Sequence, residues 1–190
     1  RLHRQMGHLD TAAIYFRRAR EIHAAVAGQG VSDEAWRDAF RAAVTGAGTW
    51  QDQGAADEAE LEYSEAVELG IQALAANLPE EVTLARVYMG RARLRIQAGN
   101  FHEAMPDYEC AMELYQRAYE SGRADLLAEL GTARIGLAEV CYRLDGLEEG
   151  EAMRAAAIEA MDELRARGDE EEARGIGQML IALEEFRPRD

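Results

Sequence analysis

Three stretches of this 190-residue chain place residues of the same size at the same offsets: "GHLDTAAIYFRRAREI" from 7, "GAADEAELEYSEAVEL" from 54 and "GNFHEAMPDYECAMEL" from 99. With Asp145 opening a fourth copy, the unit openers Gly7, Gly54, Gly99 and Asp145 lie 47, 45 and 46 residues apart. A period this constant constrains the fold more than any other feature of the chain. Each copy is too small to bury its own apolar side, so the copies must stack and share one continuous core.

After each opener the apolar positions recur every three or four residues, which keeps one helical face inward. The stripes read Leu9, Ala12, Phe16, Ala19, Ile22, then Ala56, Ala59, Tyr63, Ala66, Leu69, then Phe101, Ala104, Tyr108, Ala111, Leu114. Alanine on either side of an aromatic lets a neighbouring helix approach while the ring fills the gap in the next layer. Another helix precedes each opener, over roughly 33 to 53, 80 to 98 and 124 to 144. Ala47, Ala92 and Ala138 hold equivalent places in these helices, as close packing within a hairpin requires. Asn100 with Glu103 and Asp145 with Glu148 have capping-box spacing, and Pro79 suits a first helical position. Gly30, Asn77 and Gly122 mark the connections between units.

The composition agrees with helix throughout: Ala, Glu, Leu and Arg are abundant and only three residues are proline. A net charge of -15 argues against binding nucleic acid or an anionic membrane surface, which takes clustered cations. The chain contains no lysine, which excludes Schiff-base chemistry, pyridoxal phosphate attachment and a P-loop. Cys110 and Cys141 stand far apart and outside any C-x-x-C, so neither a disulfide framework nor a zinc site is expected, and a cytoplasmic protein fits best. There is no apolar run near 18 residues, and "RLHRQMGHLD" has no signal-peptide character.

The openers, Phe101 two residues after its opener, the aromatics Phe16, Tyr63 and Tyr108 nine residues on, and the flanking alanines resemble the second helix of the tetratricopeptide repeat family. The resemblance covers about three quarters of the chain. It is strong in the second helices and weak in the first, where Ala43, Gly46 and Trp50, then Tyr88, Arg91 and Arg95, then Arg134, Leu137 and Cys141 stand in place of the family's large residues. The period exceeds the roughly 34 residues typical of the family, so long-helix relatives are the better comparison. What the resemblance implies is an all-α right-handed solenoid of antiparallel helix pairs. It forms one domain over 1–190: a partial unit 1–28, units 32–77, 79–122 and 124–167, and a C-terminal capping helix 169–186. Eight long helices and an initial stub are expected. The opening "RLHRQM" reads as the end of a missing first helix, so a longer parent chain is expected. At the other end Gly150 and Arg154 replace the expected Ala and aromatic, and the last helix, with Ile176, Met179, Leu180, Leu183 and Phe186 on one side, looks like a solubilising cap.

Little here supports catalysis. His3, His8, His23 and His102 lack ligand spacing, and Ser32, Ser64 and Ser121 lack a nucleophile-elbow setting. The carboxylates at Asp57, Glu58, Glu60, Glu62, Glu65 and Glu68 read as a solvated outer face. Cys110 and Cys141 read as packing residues. Pro106, beyond the first turn of its helix, deletes a backbone bond to His102 and is expected to adjust curvature on the outer surface.

One feature is basic: Arg86, Gly90, Arg93 and Gln97 recur by four, three and four on one helical face, opposite Ala85, Met89, Ala92 and Ile96. In the tetratricopeptide family the first helices line a concave groove. Matching positions nominates Arg41, Gln51, Arg86, Met89, Arg93, Gln97, Ile135, Glu139, Tyr142 and Arg143 as its lining. The family's chaperone-tail clamp uses Lys and Asn, which this groove does not supply. The expected function is a non-enzymatic scaffold, without cofactor or metal, that binds a protein or peptide segment bearing a carboxylate. Two alternatives are a peptide-sensing domain of a larger regulator and a module that self-assembles through exposed unit ends.

Overall fold

A computed structural model describes residues 33–76 and 79–188. Among them are seven α-helices and no strand: α1 (Asp33–Asp52), α2 (Ala56–Ala75), α3 (Glu81–Gln97), α4 (Phe101–Glu120), α5 (Leu127–Arg143), α6 (Leu147–Arg167) and α7 (Glu170–Leu183). A single 3-10 turn, Ala124–Leu126, leads into α5. The expected stub and first long helix, with Phe16 and its stripe, lie outside the described residues. The chain divides into two compact units between Leu94 and Arg95.

Residue size decides where helices meet. Ala47, Ala92 and Ala138 are fully buried, as are Ala59, Ala66, Ala104 and Ala111. Tyr63 and Tyr108, between those alanines, are buried too. α1 packs on α2 in the first unit, and in the second α5 packs on α4, α6 and α7. The α5–α6 pair is antiparallel: Tyr142 meets Glu151, Arg134 meets Ala156, and Arg167 meets Ala124.

The openers have a sharper role than smallness. Gly54, Gly99 and Asp145 adopt φ of 73°, 80° and 60°. At each, the opener's N–H donates to the carbonyl three residues back and the next N–H to the carbonyl five back, as in Gly54 to Gln51 and Ala55 to Trp50. That is a Schellman ending, which needs a left-handed residue. Glycine supplies it without cost and Asp tolerates it. Gly122 and Gly168 close α4 and α6 in the same way, at φ of 104° and 89°.

Three cap assignments change accordingly. Asp145 ends α5 rather than capping α6, whose N-cap is Gly146. Asn100 caps α4 through its carbonyl alone, without a side-chain bond. Pro79 precedes α3 by two residues, and the buried Glu80 between them accepts the Leu84 N–H. α4 runs through Pro106, whose ring is exposed.

Candidate functional site

In the first unit the nominated lining rests on α1 and α3. Tyr63 of α2 sets its level. Its ring packs against Gly90 of α3, where an added Cβ would come within 2.6 Å of the nearest ring carbon. The phenol donates to Gln51 Oε1 at 2.7 Å. Burial pushes its pKa up, against the opposing effect of the Arg93 guanidinium. Gln51 therefore positions Tyr63. Gly90 belongs to the same contact and is not simply part of a polar stripe. Arg86 and Arg93 stand exposed on α3, and Arg41 on α1. Met89 is 5% exposed and belongs to the core, because α3 buries the consecutive residues Val87, Tyr88 and Met89 and so is covered on more than one side.

In the second unit the same reasoning removes Ile135 and Tyr142 from the lining. Both join the apolar cluster of Leu127, Ala138, Ala157, Ile176 and Leu180. Having neighbours in α4, α6 and α7, α5 buries eleven of its seventeen residues and leaves no broad solvent face. The Tyr142 phenol donates to Glu151 at 2.9 Å, and burial first, then this carboxylate, raises its pKa to about 12. Arg143 donates to Glu139 at 2.8 Å. Its guanidinium also sits 4.9 Å from the Phe101 ring and 4.1 Å from that of Phe186, a cation–π clasp on three segments. Gln97, at the last residue of α3, is exposed. Of the ten nominated residues, Arg41, Arg86, Arg93 and Gln97 are exposed, Gln51, Glu139 and Arg143 hold other side chains, and three are core.

The acidic face of α2 needs one correction. Glu62 is 1% exposed, because it lies three residues after Ala59 and four before Ala66, within the inward stripe. Asp107, at the same offset after Gly99, is 2% exposed, and Arg95 reaches it at 2.9 Å while also donating to the Glu103 carbonyl. Two acids at one repeat offset were legible in the sequence, although their burial was not. Cys141 is buried, which pushes its thiol pKa up, and Cys110 is half-buried.

The second unit also holds a feature that the sequence reading missed. Tyr108 packs against Gly136 as Tyr63 does against Gly90, with an added Cβ only 2.2 Å from the ring. At the next equivalent contact, α6 offers Arg154, which donates twice to Glu184 Oε1 at 2.9 and 2.6 Å. Beside that pair, α6 and α7 leave an open trough of about 480 Å³ over Ile158, Met161, Leu180 and Ile181. As expected, α7 buries Ile176, Leu180 and Leu183, but Met179 is 36% exposed and Ile181 74%, so its outer face is not uniformly polar.

Among the described residues no group of three or more His, Cys, Asp or Glu could hold a metal ion, and no helix is long and apolar enough to cross a membrane. The fold is all-α with the character of a helical repeat. No protein-family model matches the sequence, and no curated protein does. Among solved structures the chain is similar to BtubC (BKLC) from P. vanneervenii, at 18% identity and a TM-score of 0.55, over 95% of this chain and 75% of that one. It also matches the de novo designed helical repeat protein DHR64, at 19% identity and a TM-score of 0.36, over 93% of this chain and 94% of that one. The likeness to BtubC, at such identity, concerns the fold alone.

Proposed function

We propose that the chain is a non-catalytic interaction scaffold of the tetratricopeptide type, a long-helix variant forming a right-handed solenoid of antiparallel helix pairs. Its ligand is a protein or peptide segment, extended or helical, with at least one carboxylate. The observation that carries this reading is the pair Arg86 and Arg93, exposed two turns apart on α3 in a chain of net charge -15. Local charge opposite to the global charge steers and orients an acidic partner. Arg41 and Gln97, also exposed, extend the set, and Met89 holds α3 from the core of the first unit.

The test begins with a partner captured from the native host and measured by calorimetry. Arg86→Glu combined with Arg93→Glu weakens binding at least about tenfold, roughly 1.4 kcal/mol. The melting temperature stays nearly constant, because exposed charges contribute little to stability. Reversing the exposed Asp57 and Glu58 on α2 serves as the control and leaves affinity within about twofold. Equal losses from both pairs, or no loss from either, overturn the assignment of this face.

A further inference from the structure

Beside the trough between α6 and α7, the helices of the second unit are held by packing and by long side chains. α5 packs on α4 and, as an antiparallel pair, on α6, while α4 reaches α6 through side chains alone. Arg134 of α5 donates to Gln116 of α4 at 3.0 Å and to the Ala156 carbonyl of α6 at 2.9 Å. Tyr119 of α4 donates to Glu163 of α6 at 2.7 Å, and Arg167 of α6 donates to Tyr119 at 3.0 Å. α6 thus packs along α5 and meets α4 only at side-chain ends. Over the trough no described helix packs, and its exposed side chains differ from those of a solvated end. Ile181 is 74% exposed, and the half-buried Ile158 and Met161 lie along the same floor.

The rim adds chemistry to this geometry. Arg154, Arg165 and Arg174 line the trough against Glu184 alone, in a chain with 36 acidic and 21 basic residues. Arg154 bonds Glu184, Arg165 bonds Asp162 at 3.2 Å, and Arg174 has no carboxylate partner among the described residues. Pairs this exposed exchange readily for an incoming carboxylate. An apolar floor with a cationic rim, in a volume within the ~300–1,000 Å³ typical of binding clefts, matches an amphipathic helix whose apolar stripe is flanked by acids.

We infer that this trough is a second docking site, separate from the α3 arginines, for an amphipathic acidic helix of a partner protein. The helix lies along the trough between α6 and α7. Its apolar residues at i, i+3, i+4 and i+7 cover Ile158, Met161 and Ile181, and its flanking carboxylates meet Arg174 and Arg165.

The probe is a fluorescein-labelled designed helical peptide with Leu at those positions and Glu on both flanks, compared with the same peptide carrying Lys for Glu. Fluorescence anisotropy against the full chain should show micromolar binding of the Glu peptide and at least about tenfold weaker binding of the Lys peptide. Ile181→Glu should weaken the Glu peptide at least about tenfold, as expected for an apolar anchor. Arg174→Glu should reverse the order of the two peptides. Both substituted side chains are exposed, so circular dichroism melts should match the parent chain. Arg86→Glu with Arg93→Glu should bind the Glu peptide as the parent does, which keeps this site distinct from the α3 face. Absence of binding, equal binding of the Glu and Lys peptides, or indifference to Ile181→Glu overturns the inference. A dimer in sedimentation that Ile181→Glu dissolves also overturns it, by assigning the trough to a second copy.

Discussion

Tyr108 against Gly136 and Arg154 against Glu184 occupy equivalent places in two successive layers of the second unit, yet they join helices by different physics. At the first, a ring 3% exposed fills the space that a glycine leaves, and an added Cβ would meet it at 2.2 Å. At the second, a guanidinium reaches a carboxylate across a contact where the two side chains are 27% and 42% exposed. A shape contact gains from complete burial and tolerates no change of volume. An exposed ion pair contributes little and can be exchanged. The difference teaches that the terminal layer is mixed: Gly131 and Ile176 still interlock by size, with an added Cβ 2.3 Å from the side chain, but Arg154 meets the residue after α7 by charge, and the apolar trough over Ile181 lies beside that pair.

Substitutions at Tyr108, Tyr63, Gly136 and Arg154 sharpen or break this contrast. The largest effect falls on the rings. Tyr108→Ala destabilises the chain by about 3–5 kcal/mol, the range for buried aromatic truncations. Tyr63→Ala belongs to the same class and also loses the bond to Gln51. A loss below about 1 kcal/mol in urea melts, well under that range, shows that the rings do not interlock the layers.

An intermediate effect comes from the opposite side of the contact. Gly136→Ala forces a methyl into the Tyr108 ring and costs about 1–3 kcal/mol by overpacking. In a double-mutant cycle with Tyr108→Leu the penalties are less than additive, since the smaller side chain can make room. Strict additivity indicates that Gly136 is needed for some other reason.

The smallest effect belongs to the terminal layer. Arg154→Ala costs less than about 1 kcal/mol at low salt and less still at high salt, as exposed pairs do. A loss comparable to that of Tyr108→Ala would erase the distinction between the two layers.

Much of this arrangement was legible beforehand. The period of the openers located six of the seven described helices, and α7 was read from its own apolar side, because apolar residues three and four apart can share a face only on a helix. The buried alanines and tyrosines followed from the same spacing. Local rules failed at the caps, where Asp145 looked like the start of a helix but ends one. Its φ of 60° is set by the Schellman bonds of α5. They failed again at Glu62 and Asp107, which are acidic by composition but inward by position.

The nominated site divides along the same line. Exposure of Arg86, Arg93 and Gln97 was readable from polar spacing on one helix, and that of Arg41 from its matching place on α1. The burial of Ile135 and Tyr142 was not, because it depends on α5 having three helical neighbours, one of which begins at Glu170. Nor could the stacking of Arg143 between Phe101 and Phe186 be read from residues 42 and 43 positions away. The sequence by itself determined the period, the helices and the small-and-large alternation that lets them stack, since these depend on backbone geometry and side-chain volume within a few turns. Only the tertiary structure decided which faces stay open, which charges are already spent and that a trough remains beside α7, because each is fixed by residues distant in the chain that packing brings together.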